Sequence, residues 1–200
     1  MADINLLTSG DIETLKSEVS AMDMTPVTQY ASLQDYKDFM SADPGYEHFK
    51  LLSYISSALT GKLFFDIGTK FGNPDLALSA LALSYNSDNT VISYDPDPLL
   101  EKPFPSNINF RTGDFIQDPE ILNASLIFVD IDVHDSIQEN SLHEFLLANN
   151  YKGMVLWDDV NAGHFADLKN WWDSIDNPSV QKYDLTAVGH FTGTGLLVYT

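Results

Sequence analysis

The sequence predicts an α/β protein built on a doubly wound, seven-stranded sheet. From residue 63 onward, short apolar runs alternate with segments of helical periodicity, which is the pattern of a parallel sheet covered by helices. The last two runs are separated only by residues 189–194, too few for a helical crossover, so these two strands should pair antiparallel. We therefore expect six parallel strands closed by a C-terminal antiparallel hairpin.

Each element follows from its own pattern. The apolar runs place strands at residues 63–67, 90–94, 108–111, 125–130, 153–157, 183–188 and 195–199. Helical spacing places helices at residues 46–59, 74–84, 136–148 and 162–175, the second capped by Asn73 with Pro74 in its first turn. Prolines crowd the segment between Asp95 and Asn107, so we expect a loop where a helix normally joins the second and third strands.

A helical extension precedes this domain. Helices are expected near residues 10–22 and 32–40, and Pro44 and Gly45 mark a break. We therefore divide the chain into an extension, residues 1–44, and a main domain, residues 45–200. The proline-rich loop leaves one face of the sheet thinly covered, and either the extension or a second subunit of a homo-oligomer would cover it.

Composition excludes several classes of function. The chain has no cysteine, which rules out disulfides, thiolate metal sites and thiol nucleophiles. Its net charge of -19 would repel a phosphate backbone, so nucleic acid is not an expected partner. The sequence has no apolar run of about 18 residues and no basic and apolar leader after Met1. We therefore expect a soluble, cytoplasmic protein without a membrane partner.

The turn after the first strand is a candidate ligand site. Asp66 lies at the end of that strand, and Gly68, Thr69 and Gly72 follow before the N-terminus of a helix. Such a turn lets a ligand approach the backbone at the carboxyl edge of the sheet. The GxxxG spacing differs from the GxGxxG of nicotinamide-binding folds, so no diphosphate cradle is expected.

Two further carboxylates extend this site toward an adenosine group. Asp95 ends the second strand, where it would accept hydrogen bonds from both ribose hydroxyls. Asp114 follows the third strand, where it would accept from the adenine amino group, and Phe115 would cover the adenine ring. Each aspartate alone is a common turn residue, and their order along the chain is what indicates a nucleoside site.

A second polar group follows the fourth and fifth strands. It consists of Asp130, Asp132, His134, Asp158 and Asp159. Carboxylates at two adjacent strand ends repel one another unless a cation or protons intervene, and oxygen ligands favour a hard ion such as magnesium, manganese or calcium. The imidazole of His134, with an ordinary pKa of about 6.5, suits a general base, although it could instead cap the next helix.

Three more residues are candidate contacts to an acceptor substrate. Asn161 and His164 follow the fifth strand, and His190 lies in the turn of the final hairpin. If the hairpin folds back over the sheet edge, His190 reaches the same site as the aspartates. The alternative is that the turn containing His190 has only a structural role.

Several of these segments together resemble a known family. Asp66-Ile67-Gly68-Thr69 with Gly72, residues 128–135 (FVDIDVHD) and residues 157–159 (WDD) resemble the macrolide-sugar and catechol O-methyltransferases, which have the class I, Rossmann-like methyltransferase fold. Residues 47–52 (EHFKLL) and 189–195 (GHFTGTG) extend the resemblance to methyltransferase domains beside glycosyltransferases in large algal viruses, including the chlorella-virus rhamnosyltransferase type. The resemblance covers residues 45–200 and leaves the extension unexplained.

The resemblance implies an O-methyltransferase that uses S-adenosylmethionine and acts on a sugar hydroxyl, for example of rhamnose or another deoxyhexose in a glycan. It implies that Mg²⁺ or Mn²⁺ is bound by Asp130, Asp158 and Asp159. His134 takes the position of the base in the macrolide-sugar type, with Asp132 as a second catalytic residue. The resemblance further implies fusion to or association with a glycosyltransferase and, for a viral protein, the cytoplasm of a host cell.

Two alternatives stay open, and one residue departs from the family. The catechol type has a lysine at the position of Val133, so a lysine mechanism is not expected here. A nicotinamide-dependent oxidoreductase would use the same type of sheet, although GxGxxG is missing. A non-catalytic binding or scaffold domain would have the same fold without catalytic activity, although the retained carboxylates argue against a loss of activity.

Overall fold

The structure, a computed structural model, describes residues 2–31, 33–68, 77–95, 104–131 and 133–200. Its strands are β1 (Leu63–Ile67), β2 (Thr90–Tyr94), β3 (Ile108–Arg111), β4 (Leu126–Val129), β5 (Gly153–Trp157), β6 (Val180–Asp184) and β7 (Gly195–Tyr199). They form one sheet in the order β3-β2-β1-β4-β5-β7-β6, in which β7 runs antiparallel to both of its neighbours and the other pairs are parallel. The predicted fold class and the closing hairpin are confirmed.

Helices cover both faces of this sheet. They are α1 (Leu6–Ser9), α2 (Ile12–Ser20), α3 (Thr25–Thr28), α4 (Gln34–Met40), α5 (Phe49–Ala58), α6 (Leu78–Leu83), α7 (Ile137–Ala148) and α8 (Ala166–Ser174). Two short 3-10 helices, Phe115–Gln117 and Pro119–Asn123, lie between β3 and β4. The predicted cap at Asn73 and Pro74 lies outside the described residues, as does most of the proline-rich loop. No described helix is long and apolar enough to cross a bilayer.

In residues 2–31 and 33–44, the described part of the N-terminal extension, there are four short helices where the sequence predicts two. Gly10 ends α1 with a φ of +77°, a conformation that glycine adopts without steric cost. The Asp11 side chain then caps α2 by accepting from the Thr14 backbone N–H at 3.2 Å. Pro26 lies in the first turn of α3, where its missing N–H costs nothing. These local signals divide the extension more finely than its apolar periodicity does.

The sixth strand begins earlier than the sequence predicts. We expected a strand at residues 183–188, whereas β6 is Val180–Asp184. The backbone N–H groups of Val188 and Gly189 both donate to the Leu185 carbonyl, at 2.9 and 2.8 Å, so these residues form a turn. Leu185 and Val188 are nevertheless buried. A buried turn carries the same apolar residues as a strand, and that similarity caused the error.

Two layers of buried side chains hold the sheet between its helices. Phe64 and Phe65 are adjacent in β1 and point to opposite faces, because successive strand residues alternate. Phe64 belongs to the layer that α5 and α6 cover, and Leu15 and Val19 of α2 are buried in that same layer. Phe65 belongs to the layer beneath α7 and α8. The extension is therefore packed into the core of the described protein.

Candidate functional site

The site lies at the carboxyl ends of β1, β4 and β5, which are neighbours in the sheet. Backbone hydrogen bonds continue the sheet beyond the strands: the Asp130 N–H donates to Ile67 at 2.9 Å, and the Asp158 N–H donates to Val129 at 3.0 Å. These bonds fix the two aspartates side by side at one edge. The sequence could predict this meeting because the carboxyl ends of parallel strands share an edge.

Three carboxylates converge at this edge. Asp130, Asp158 and Asp159 each present an oxygen, and these oxygens lie within 4.8 Å of one another. One oxygen of Asp158 and one of Asp159, Oδ1 in both cases, are buried without a hydrogen-bond partner among the described residues. Asp159 has a φ of +61°, a conformation that non-glycine residues seldom adopt and that strained functional sites often contain.

Asp130 and Asp158 differ in pKa. Burial and the nearby charge of Asp158 raise the pKa of Asp130 to about 8. Burial alone would also raise the pKa of Asp158, but His48 and His190 beside it lower that pKa well below its usual range. Asp158 is therefore ionised more readily than Asp130.

His134, the predicted base, lies against Asp159. Its Nε2 is 3.2 Å from Asp159 Oδ2, and its ring packs on Phe165 with the ring centroids 3.9 Å apart. Only 12% of the His134 side chain is exposed. Asp132 lies outside the described residues.

Two histidines contact Asp158 from opposite parts of the chain. Nδ1 of His190 is 3.0 Å from Asp158 Oδ2, and Nδ1 of His48 is 3.4 Å from the same oxygen. His190 Nδ1 also lies 2.7 Å from the hydroxyl of Thr192. The hairpin does fold back over the sheet edge, and His190 contacts the aspartates. Its predicted contact with an acceptor stays a prediction.

Sequence reasoning assigned no role to His48 and Glu47. Both are buried just before α5, and Glu47 Oε1 lies 4.0 Å from His190 Nε2. Burial would lower the pKa of His48, but Asp158, Asp130 and Glu47 together raise it to about 9. Burial also raises the pKa of Glu47. The sequence signal for these two residues is a Glu-His pair just before an apolar helix. Only the folded chain shows that the pair lies beside His190 and Asp158.

The predicted cofactor turn meets the carboxylate cluster. Gly68 has a φ of +94°, and a Cβ built there would lie 1.8 Å from the Asp130 carbonyl oxygen. Its N–H donates to the Tyr94 carbonyl at 3.1 Å. Asp66 is fully buried and accepts a hydrogen bond from the Ser93 hydroxyl at 2.8 Å. Thr69 and Gly72 lie outside the described residues.

The predicted adenosine contacts occupy the next two strand ends. Asp95 follows β2 and is buried, with its backbone N–H donating to the Arg111 carbonyl at 3.3 Å. Asp114 is exposed, and its carboxylate accepts from the Ile116 N–H at 3.1 Å, so it also caps the first 3-10 helix. Phe115 is buried in an edge contact with the ring of Tyr94, its centroid 6.4 Å away.

The two remaining predicted acceptor contacts are exposed near β5. The side-chain amide of Asn161 donates to the Thr186 hydroxyl at 3.5 Å. The His164 ring packs on Phe165, the residue that also contacts His134, with the ring centroids 4.1 Å apart. His164 therefore lies close to the predicted base, whereas Asn161 is tied to the final hairpin.

Comparison with solved structures identifies the fold. A methyltransferase of Podospora anserina bound to S-adenosylhomocysteine superposes with a TM-score of 0.62 at 14% identity, covering 100% of this chain and 98% of that one. A methyltransferase from Geobacter sulfurreducens gives a TM-score of 0.54 at 12% identity, covering 94% of this chain and 95% of that one. The sequence matches no protein-family model and no curated protein. The chain therefore has the class I methyltransferase fold.

Proposed function

We propose that this chain transfers a methyl group from S-adenosylmethionine to a hydroxyl of a small-molecule or glycan acceptor, assisted by a divalent cation. The observation that carries the proposal is the close approach of Gly68 to the Asp130 carbonyl. The turn at which ligands enter such a sheet is in contact with the first residue of the carboxylate cluster. A cofactor at the turn and an acceptor at the cluster would therefore meet at one edge.

The donor set suits a hard divalent cation such as Mg²⁺ or Mn²⁺. Asp130, Asp158 and Asp159 offer only oxygen ligands, and the Oδ1 atoms of the last two are buried without a hydrogen bond among the described residues, that of Asp159 lying 3.5 Å from His190 Nδ1. Leaving buried carboxylate oxygens unpaired is costly, which favours a bound cation. When bound, the cation orients the acceptor hydroxyl and stabilises charge on its oxygen.

The cofactor would extend from the Gly68 turn along the edge of the sheet. We assign Asp95 to the ribose hydroxyls, because it follows β2 directly beside that turn, and Asp114 with Phe115 to the adenine. Asp66 of β1 completes the assignment, together with Thr69 and Gly72, which lie outside the described residues. The similarity of the whole fold to a methyltransferase bound to S-adenosylhomocysteine supports a cofactor of this kind.

His134 would take the proton of the acceptor hydroxyl. With Nε2 held against Asp159 at 3.2 Å, Nδ1 is the nitrogen left to accept the proton, and Asp159 stabilises the resulting imidazolium. The acceptor oxygen forms its bond to the methyl carbon as the carbon–sulfur bond breaks. The electron pair of that bond stays on sulfur and yields S-adenosylhomocysteine. Asp132 is proposed as a second catalytic carboxylate.

A sugar is the acceptor that we propose. Tyr46 and Phe191 stack with their ring centroids 6.0 Å apart, and more than half of each side chain is exposed. Phe191 adjoins His190, so this aromatic surface borders the carboxylate cluster and offers an apolar contact for the C–H face of a sugar ring. His190, His164 and Asn161 are the proposed polar contacts. A glycan acceptor would also fit the association with a glycosyltransferase that the sequence resemblance implies.

Transfer of labelled methyl groups tests the proposal. The protein is incubated with methyl-labelled S-adenosylmethionine and a panel of sugars and catechols, with Mg²⁺, with Mn²⁺ and with a chelator. We expect transfer to a sugar that stops with chelator and in Asp130→Asn, and that persists in Asp88→Asn, the same change on an exposed turn. Cofactor binding without transfer to any acceptor would favour a scaffold domain, and transfer untouched by chelator would remove the cation.

A further inference from the structure

The residues around Asp158 contain donors that the carboxylate cluster does not use. His48 is 3% exposed, and neither of its ring nitrogens has a hydrogen-bond partner among the described residues. A fully buried imidazole without a hydrogen bond forfeits those that it makes in water, and such a group calls for an explanation. Its Nδ1 has an ion-pair contact with Asp158 Oδ2, at 3.4 Å.

We propose that His48, Asp158 and His190 form a second cation position, which shares Asp158 with the carboxylate cluster. The three residues come from separate parts of the chain, and each presents a potential ligand atom within 4.8 Å of the other two. Metal binding at this position does not depend on methyl transfer. It is distinct from the oxygen-only set because two of its three donors are imidazole nitrogens.

The separations of the ring nitrogens from Asp158 Oδ2 suit atoms that share one ion, as well as a direct hydrogen bond or ion pair. Two donors bound at about 2.1 Å stand about 3.0 Å apart at a right angle and about 3.4 Å apart at the tetrahedral angle. The nitrogens of His190 and His48 lie 3.0 and 3.4 Å from Asp158 Oδ2. The sites of the two ions would meet at Asp158, whose Oδ1 is left for the carboxylate cluster.

Carboxylates crowd around this position. Glu47 lies 4.0 Å from His190, and the carboxylates of Asp130, Asp158 and Asp159 lie close to the two imidazoles. Carboxylates buried this close together need compensating positive charge, which bound cations would supply. Protonation of both imidazoles is the competing way to offset the same charge, and the experiment must separate the two.

The donor set predicts the kind of ion. Two imidazoles and one carboxylate suit borderline transition ions such as Zn²⁺, Co²⁺ or Mn²⁺, whereas Mg²⁺ prefers the oxygen-only set. The two positions should therefore fill selectively. Mg²⁺ should bind at the carboxylate cluster and leave the histidine position free for a transition ion.

Cobalt titration tests the second position without cofactor or acceptor. Metal-free protein in excess Mg²⁺ is titrated with Co²⁺ while its visible absorption is recorded. We expect one equivalent to bind, with affinity reduced at least about tenfold in His48→Gln, His190→Gln and Asp158→Asn. Asp130→Asn and the matched control His143→Gln, which alters a histidine paired with Tyr199 elsewhere, should retain it. Equal cobalt binding in the wild type and both histidine variants would overturn the proposal.

A second measurement uses only the wild-type protein, so it tests the proposal even when a variant does not fold. Wild-type protein in excess Mg²⁺ receives less than one equivalent of Cu²⁺, and pulsed electron paramagnetic resonance records coupling to the remote nitrogens of bound imidazoles. We expect two coupled imidazoles. Coupling to one or none would contradict the proposal and favour protonated histidines that only pair with Asp158. Because neither readout uses S-adenosylmethionine, failure here is distinguishable from failure of the proposed methyl transfer.

Discussion

A methyl group added at Gly68 should destabilise the protein through a collision that the structure locates. The new Cβ would lie 1.8 Å from the Asp130 carbonyl oxygen, so reaching an ordinary contact of 3.4 Å requires a shift of about 1.6 Å between two backbones that form adjacent strand ends. The φ of +94° adds strain of about 1–2 kcal/mol, and overpacking typically adds about 1–3 kcal/mol. We therefore expect Gly68→Ala to lower the free energy of unfolding by about 2–5 kcal/mol.

Gly113→Ala is the matched control for this prediction. Gly113 has a φ of +105°, but a Cβ there meets nothing within 4 Å among the described residues, so only the backbone strain of about 1–2 kcal/mol applies. Urea unfolding of the three proteins gives both differences. If Gly68→Ala costs no more than Gly113→Ala, the close approach of the turn to Asp130 is wrong, and with it the observation on which the proposed function depends.

Three further predictions concern a carboxyl group, an ion pair and the base. Burial raises the pKa of Glu139 from 4.5 to about 7, so the folded protein holds a proton that the unfolded chain releases. As pH rises from 4.5 to about 7, the free energy of unfolding of Glu139→Gln, measured in urea, should therefore fall by up to about 3 kcal/mol less than that of the wild type. Arg111→Met leaves Asp118, which is 8% exposed, without its guanidinium partner; we expect a loss of about 2 kcal/mol by urea unfolding, largely avoided in Arg111→Lys. His134→Gln should reduce kcat about 10²-fold or more while S-adenosylmethionine affinity is unchanged, and unreduced turnover would exclude it as the base.

The local pattern of apolar residues predicted most of the strands, but it failed where a buried turn is as apolar as a strand. The bounds of β1, β2, β3, β5 and β7 agree with their predicted runs. All but β3, which is an edge strand, are largely buried on both faces and therefore mostly apolar. Leu185 and Val188 are equally apolar but form a turn held by hydrogen bonds to the Leu185 carbonyl. Nothing in the run of residues distinguishes the two cases, since the difference lies in what packs against them.

The candidate site was predictable in part for a similar reason. Asp130 and Asp158 follow neighbouring parallel strands, and topology alone brings such residues to one edge. His48 precedes β1 and reaches Asp158 only because α5 packs against the sheet, where the His48 ring contacts Phe128 with centroids 4.7 Å apart. That contact depends on the tertiary packing of a helix, which neither spacing nor composition encodes.

Calorimetric titration with S-adenosylhomocysteine tests the central claim most directly. The folded protein is titrated with S-adenosylhomocysteine, and with NAD in a parallel experiment, in the presence of Mg²⁺. We expect saturable binding of S-adenosylhomocysteine at one site per chain, weakened in Asp95→Asn, and no binding of NAD. Absence of any heat with S-adenosylhomocysteine, or binding of NAD in its place, would contradict the proposal that this chain is an S-adenosylmethionine-dependent methyltransferase.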